Sequence, residues 1–218
     1  MGAAASVWAA RRRPGPWTTT FAAVLALAIL AGWVGEQVAD VADGVWSVKY
    51  TLPLQLTDAV SVAAAAALLT RAPLLVELTY FWALTASLQA TLTPDLSDSF
   101  PNAFYFTYFA YHVGAIVAAL FLVVGCRLYP RPGVVLRVFV ATLAVTAIAA
   151  IADLATGGNY MYLRSKPVHS SLLSLMSPWP WYILETTVLA LLMLLVVRAI
   201  TPSARARPYR SRPAPPGP

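Results

Sequence analysis

The sequence predicts an all-α integral membrane protein: a single bundle of about six transmembrane helices with both termini cytoplasmic. Three observations lead there. Of 218 residues, 59% are hydrophobic and only 11% charged, and the mean hydropathy is positive, far from the balance of a soluble domain. Several apolar stretches approach the roughly 20 residues that a membrane helix needs. The basic residues, finally, collect on alternate connections between those stretches.

The apolar stretches read as spans at Trp17 to Gly35, Leu52 to Thr70, Pro73 to Thr93, Pro101 to Gly125, Val134 to Ala155 and Trp179 to Ile200. An even number of spans puts both ends on one side. Arg11, Arg12, Arg13, Arg71, Arg127, Arg131, Arg137, Arg198, Arg205, Arg207, Arg210 and Arg212 fall on that side, and Lys49, Arg164 and Lys166 opposite. By the positive-inside rule the terminal side is cytoplasmic. The net charge of +6 is thereby accounted for by topology and contact with anionic lipid, with no nucleic-acid partner. The expected localisation is the plasma membrane of a bacterium.

Residues 1–16 read as a basic cytoplasmic N-terminus, 17–200 as the six-span domain and 201–218, rich in Pro and Arg, as a disordered cytoplasmic tail. "RRRPGPWTTTFAAVLALAIL" resembles a signal peptide but reads as an uncleaved first span, because no clear A-x-A site follows it. No internal repeat is visible. The single cysteine, Cys126, excludes an intrachain disulfide and reads as an apolar filler, and no Cys/His cluster points to a metal or other cofactor.

Acidic groups mark where chemistry is expected, since a charge in hydrocarbon is expensive. Eight of the nine fall in the outer half or outer loops: Glu36, Asp40, Asp43, Asp58, Asp95, Asp98, Asp153 and Glu185. Glu77, the ninth, is expected to pair with Arg71 or reach headgroups. Helix rise places Thr57 and His112 roughly 8–9 Å below the outer surface, with Gln89, Asp153 and Glu185 within a turn or two of that level. Thr57 and Ser61 at i,i+4, with Asp58 beside Ser61 at i,i+3, form one polar face of the second span. "FYFTYFAY" (104–111) and "WPWY" (179–182) read as interfacial aromatic belts. The longest outer loop, "TGGNYMYLRSKPVHSSLLSLMSPWPWY", is a candidate lid or headgroup clamp. Within it Arg164 and Lys166 run against the local charge bias, so they either hold a phosphate or carboxylate ligand or pair with Asp95, Asp98 or Asp153. His169 is expected to be exposed there and carries no assigned role.

Four features carry a family resemblance over about Leu52 to Tyr182: "LPLQLTD", "WALTASLQATLTPDL" followed by "FP", the span-four histidine, and "GGNYMYLRSKP" with "SLL" and "PWPWY". Together they resemble the YwaF-type bacterial membrane proteins, which are similar to the eukaryotic transmembrane protein 164. The resemblance implies a multi-pass helical fold and, for the eukaryotic branch, acyl transfer between phospholipids by a cysteine and a histidine. The matching positions are Thr57 and His112. A threonine hydroxyl, unlike a thiol, stays protonated and needs an activating base; a threonine–histidine pair serves another class of membrane lipid hydrolases.

Two functions follow for the polar layer. In one, Thr57 attacks an acyl ester with His112 as base, Gln55, Asp58, Gln89, Asp153 and Glu185 orient the site, and Asn159, Tyr160, Arg164 and Lys166 hold the headgroup of a membrane lipid. In the other, the same layer serves a non-catalytic transporter or lipid-binding protein whose carboxylates take a proton, cation or amine. The groups also serve simply to tie helices together by hydrogen bonds, a reading that outweighs function for Gln55, Ser61 and Gln89. A purely structural or partner-binding protein would tolerate changes at all of them.

Overall fold

The structure is a computed structural model describing residues 2–94, 100–167 and 171–202; Asp95, Asp98, His169 and the tail arginines from Arg205 onward lie outside the described residues. Every regular element among the described residues is helical: α1 (Ala3–Arg12), α2 (Trp17–Ala42), α3 (Leu56–Thr70), α4 (Pro73–Trp82), α5 (Leu88–Leu92), α6 (Ala103–Leu120), α7 (Val134–Thr156) and α8 (Trp181–Ile200). A π-helical turn, Ala83–Ser87, joins α4 to α5, and a second, Phe121–Gly125, extends α6. Four helices are long and apolar enough to cross a membrane: α2, α6 with its π turn, α7 and α8. The chain is therefore a multi-helix membrane protein. Helix α3 is apolar but short, and the stretch from α4 to α5 is interrupted by its π turn.

Two boundaries differ from the sequence reading. Helix α2 continues past Gly35 to Ala42, because "EQVADVA" is polar enough to end a hydropathy window yet contains adequate helix formers. Gly44, with φ +70°, follows its end. Helix α3 starts at Leu56, whereas Leu52 was expected to head the span: Leu52–Leu54 form a turn, and Gln55, with extended backbone, is the N-cap. Pro53 thus lies before the helix and not in its first turn.

The basic N-terminus is also helical. Its α1 lies against the second π turn, with Arg11 Nη1–H donating to the Val124 carbonyl (3.1 Å) and Arg127 Nη2–H to the Arg11 carbonyl (3.2 Å). The same end of the bundle holds Glu77. Its carboxylate, 1% exposed, accepts from Arg131 Nε–H (3.0 Å) and Nη2–H (3.1 Å), from Arg137 Nε–H (2.9 Å) and Nη2–H (2.8 Å), and from the Arg131 backbone N–H (2.9 Å). Arg131 and Arg137, not Arg71, are therefore its partners. A buried carboxylate surrounded by five donors staples α4 to the α6–α7 connection.

Small residues set the packing. At Gly114 of α6 a Cβ would come within 2.7 Å of Ile29 on α2, and at Gly32 of α2 within 3.1 Å of Ala110 and the Thr107 carbonyl. Helices α2 and α6 approach where no side chain intervenes, the usual way to gain dispersion contact in lipid. Ala63, Ala64, Ala65 and Ala67 do the same for α3, and all are buried. The tightly packed part of the molecule is thus α2, α3, α4 and α6, with α7 and α8 more exposed against it.

Candidate functional site

The start of α3 explains its polar residues. A 15-residue helix spans only about 22 Å, less than the roughly 30 Å of hydrocarbon, so its first amides need partners within the protein. Asp58, 8% exposed, provides one: its Oδ2 accepts the Gln55 backbone N–H (2.7 Å) while its Oδ1 accepts the Trp33 indole N–H from α2 (2.9 Å). The Gln55 Oε1 in turn accepts the Met161 backbone N–H (2.9 Å). Both side chains belong to one connected cap joining α2, α3 and the connection after α7.

That connection is folded tightly against the segment preceding α3. Tyr160 is 1% exposed, donates its hydroxyl to the Val48 carbonyl (2.8 Å), accepts the Leu52 N–H (3.0 Å), and donates its own backbone N–H to Asp153 Oδ1 (2.7 Å). Met161 and Tyr162 both have positive φ, 52° and 56°, a conformation that costs about 1–2 kcal/mol per non-glycine residue. The Gln55 bond to Met161 and the Tyr182 hydroxyl, donating to the Tyr162 carbonyl, hold them there. Asn159 is equally committed: its side chain donates to Ser165 (2.8 and 2.9 Å) and accepts the N–H groups of Arg164 and Ser165 (2.9 and 3.0 Å). As headgroup ligands Asn159 and Tyr160 are thus replaced by their roles inside the loop.

His112 lies on α6, 2% exposed, between the rings of Tyr108 (4.3 Å) and Tyr111 (4.2 Å), and its Nδ1 has no hydrogen-bond partner among the described residues. Tyr108 and Tyr111 are buried too, so "FYFTYFAY" is an aromatic belt only on its other face, where Phe106 is exposed. The inward tyrosines and the histidine share one helix face at i, i+3 and i+4. The Tyr111 hydroxyl interacts with Glu36 of α2, and both lie within the field of Asp58. Trp33 and Glu36 are the site residues that the sequence reading left unassigned; their i, i+3 spacing in an apolar helix was the signal available.

Thr57 is the second residue of α3 and half-buried, and its carbonyl accepts the Ser61 hydroxyl (3.0 Å). No hydrogen bond among the described residues uses the Thr57 hydroxyl, and none joins it to His112, although α3 and α6 pack together. Two further residues, Gln89 and Glu185, stand apart from this cluster. Gln89 is exposed and donates to the Thr93 hydroxyl (2.7 Å). Glu185 accepts both the N–H (2.9 Å) and the hydroxyl of Ser177. Asp153, whose Oδ1 accepts the Tyr160 N–H, is 1% exposed, and its Oδ2 has no partner among the described residues.

Beside the α3 cap a groove of about 430 Å³ runs between α2, α3, α4 and α7. Trp33, Gln55 and Asp58 line its polar end; Val62, Ala63, Ala66, Leu75, Val145 and Ile148 line the rest. Its size and mixed lining are those of a small amphiphile site. A family model described as the TMEM164 family matches residues 1–197. The chain belongs to the TMEM164 family. No curated protein and no solved structure matches it. Within this TMEM164-family chain, the polar cluster about Asp58 and the groove beside it make the candidate site.

Proposed function

We propose that this TMEM164-family protein acts on phospholipid acyl esters, seating an acyl chain in the groove and its ester at the start of α3. The groove is the observation that carries the reading: an apolar trough ends at Gln55 and Asp58, and Thr57, their neighbour in sequence though not a lining residue, has a hydroxyl with no hydrogen-bond partner among the described residues. In the reaction Thr57 Oγ1 attacks the ester carbonyl, His112 takes the hydroxyl proton, and the lysolipid alkoxide leaves with a proton returned by His112. The acyl group then passes from Thr57 to a second lipid hydroxyl or to water. The positive end of α3 favours the developing oxyanion.

The proposed setting is a six-span domain with α3 and the α4–α5 stretch as short spans and both termini cytoplasmic, in a bacterial plasma membrane. The groove then opens in the outer leaflet. The arginine-rich N-terminal helix and the Glu77 cluster lie at the opposite, cytoplasmic end.

A second reading has its own support. His112 is enclosed by two tyrosine rings and makes no bond to Thr57, an arrangement suited to a lipid-binding protein without chemistry. Thr57→Ala and His112→Ala, made separately and scored by acyl-chain exchange in the membrane lipids of expressing cells, separate the two. Loss of exchange by about 100-fold or more in either variant is the catalytic expectation; full exchange in both eliminates it and leaves binding.

A further inference from the structure

A second pocket, of about 480 Å³, lies in the connection between α7 and α8 and is lined by Arg164, Ser165, Lys166, Met176, Trp179 and Tyr182, with Pro178 at its rim. It shares no lining residue with the groove. Its two cations are unequal. Among the described residues, the exposed Arg164 guanidinium makes only two long contacts, Nη1–H to the carbonyls of Asp153 and Gly158, both at 3.4 Å. Lys166 gives one N–H to the Met176 carbonyl (2.6 Å), and its ammonium lies 5.6 Å from the Tyr182 ring centroid. Among the described residues, neither reaches a carboxylate within salt-bridge distance; Glu185, whose carboxylate feels the charge of Lys166, is hydrogen-bonded by Ser177. The pocket lining thus carries two cations and no carboxylate, with several N–H donors that have no partner among the described residues.

The rim fixes the level of the pocket. Trp179 and Trp181 are exposed to 63% and 65%, and exposed indoles at the end of a membrane helix sit among lipid headgroups. The Trp179 indole N–H is tied to the Leu163 carbonyl (3.2 Å), so the wall is fixed to the loop that carries Arg164. We propose that this pocket binds a phosphate anion presented at the membrane surface, the phosphate of an anionic lipid headgroup being the form that the indole rim favours. Arg164 supplies the planar fork and Lys166 the point charge. The site is separate from the groove and requires no reaction at Thr57.

The test uses the full-length protein in detergent, titrated with a short-chain phosphatidylglycerol or the matching phosphatidylcholine, bound lipid being counted by native mass spectrometry. Wild type is expected to retain phosphatidylglycerol preferentially. Arg164→Gln and the Arg164→Gln/Lys166→Gln pair should weaken that retention about tenfold or more, whereas Arg12→Gln/Arg13→Gln, at the other end of the chain's helical bundle, should not. Arg164→Gln alone guards against misfolding, since that side chain makes only the two long protein contacts. Displacement of the lipid by millimolar inorganic phosphate would assign the same site to a free anion. Unchanged phosphatidylglycerol binding in both Arg164 variants, or equal loss in the Arg12/Arg13 control, overturns the proposal.

Discussion

Tyr160 shows how much of this architecture rests on single atoms. Its hydroxyl joins the Leu52 N–H and the Val48 carbonyl while its backbone meets Asp153, so one side chain binds the α7–α8 connection to the approach to α3. Tyr160→Phe removes two part-buried hydrogen bonds, those to the Leu52 N–H and the Val48 carbonyl. A loss of about 2–3 kcal/mol is expected, measured as reduced resistance to denaturant, together with faster amide exchange at Leu52. Glu77 is of the same kind at the other end: what reads in sequence as a lone acid near a headgroup is the centre of a five-donor cluster. Pairing of that sort is invisible locally, because Arg131 and Arg137 lie more than fifty positions away.

At the scale of elements, close contact between α2 and α6 positions Tyr111 against Glu36. Gly114 lets the helices meet at Ile29; any larger residue must push them apart. Gly114→Val should destabilise the bundle by about 1–3 kcal/mol and lower lipid-exchange activity by displacing α6, while Val113→Ala, on the exposed face next to it, should do neither. Thermal unfolding in detergent, read beside the exchange assay, checks both. Helix α3 makes the complementary point: its shortness creates the need for polar groups at its start, and Gln55 and Asp58 meet that need whatever chemistry Thr57 performs.

For the molecule as a whole, the distribution of charge is the strongest directional signal. With Cys126 replaced by Ala, Val45→Cys and Ala5→Cys provide one exposed thiol beyond the end of α2 and one in α1. If both termini are cytoplasmic, a membrane-impermeant maleimide applied to intact cells should label Val45→Cys and reach Ala5→Cys only after lysis. Labelling of Ala5→Cys in intact cells would invert the topology and place the groove in the inner leaflet.

Hydropathy and helix propensity, both local, sufficed to read the membrane class and the approximate positions of the helices, because lipid forces every long apolar stretch to satisfy its own backbone. The motifs from "LPLQLTD" to "PWPWY" were enough for the family resemblance, and the family match over residues 1–197 agrees with it. Depth counting puts Thr57, His112, Gln89, Asp153 and Glu185 near one level. It could not assign their partners. That Asp58 holds Trp33, that Tyr111 rather than a carboxylate flanks His112, that Gln89 faces outward and that Arg164 lines a pocket separate from the groove are matters of helix rotation and loop path. Those depend on how glycines and alanines let neighbouring helices approach, which only the assembled tertiary structure decides.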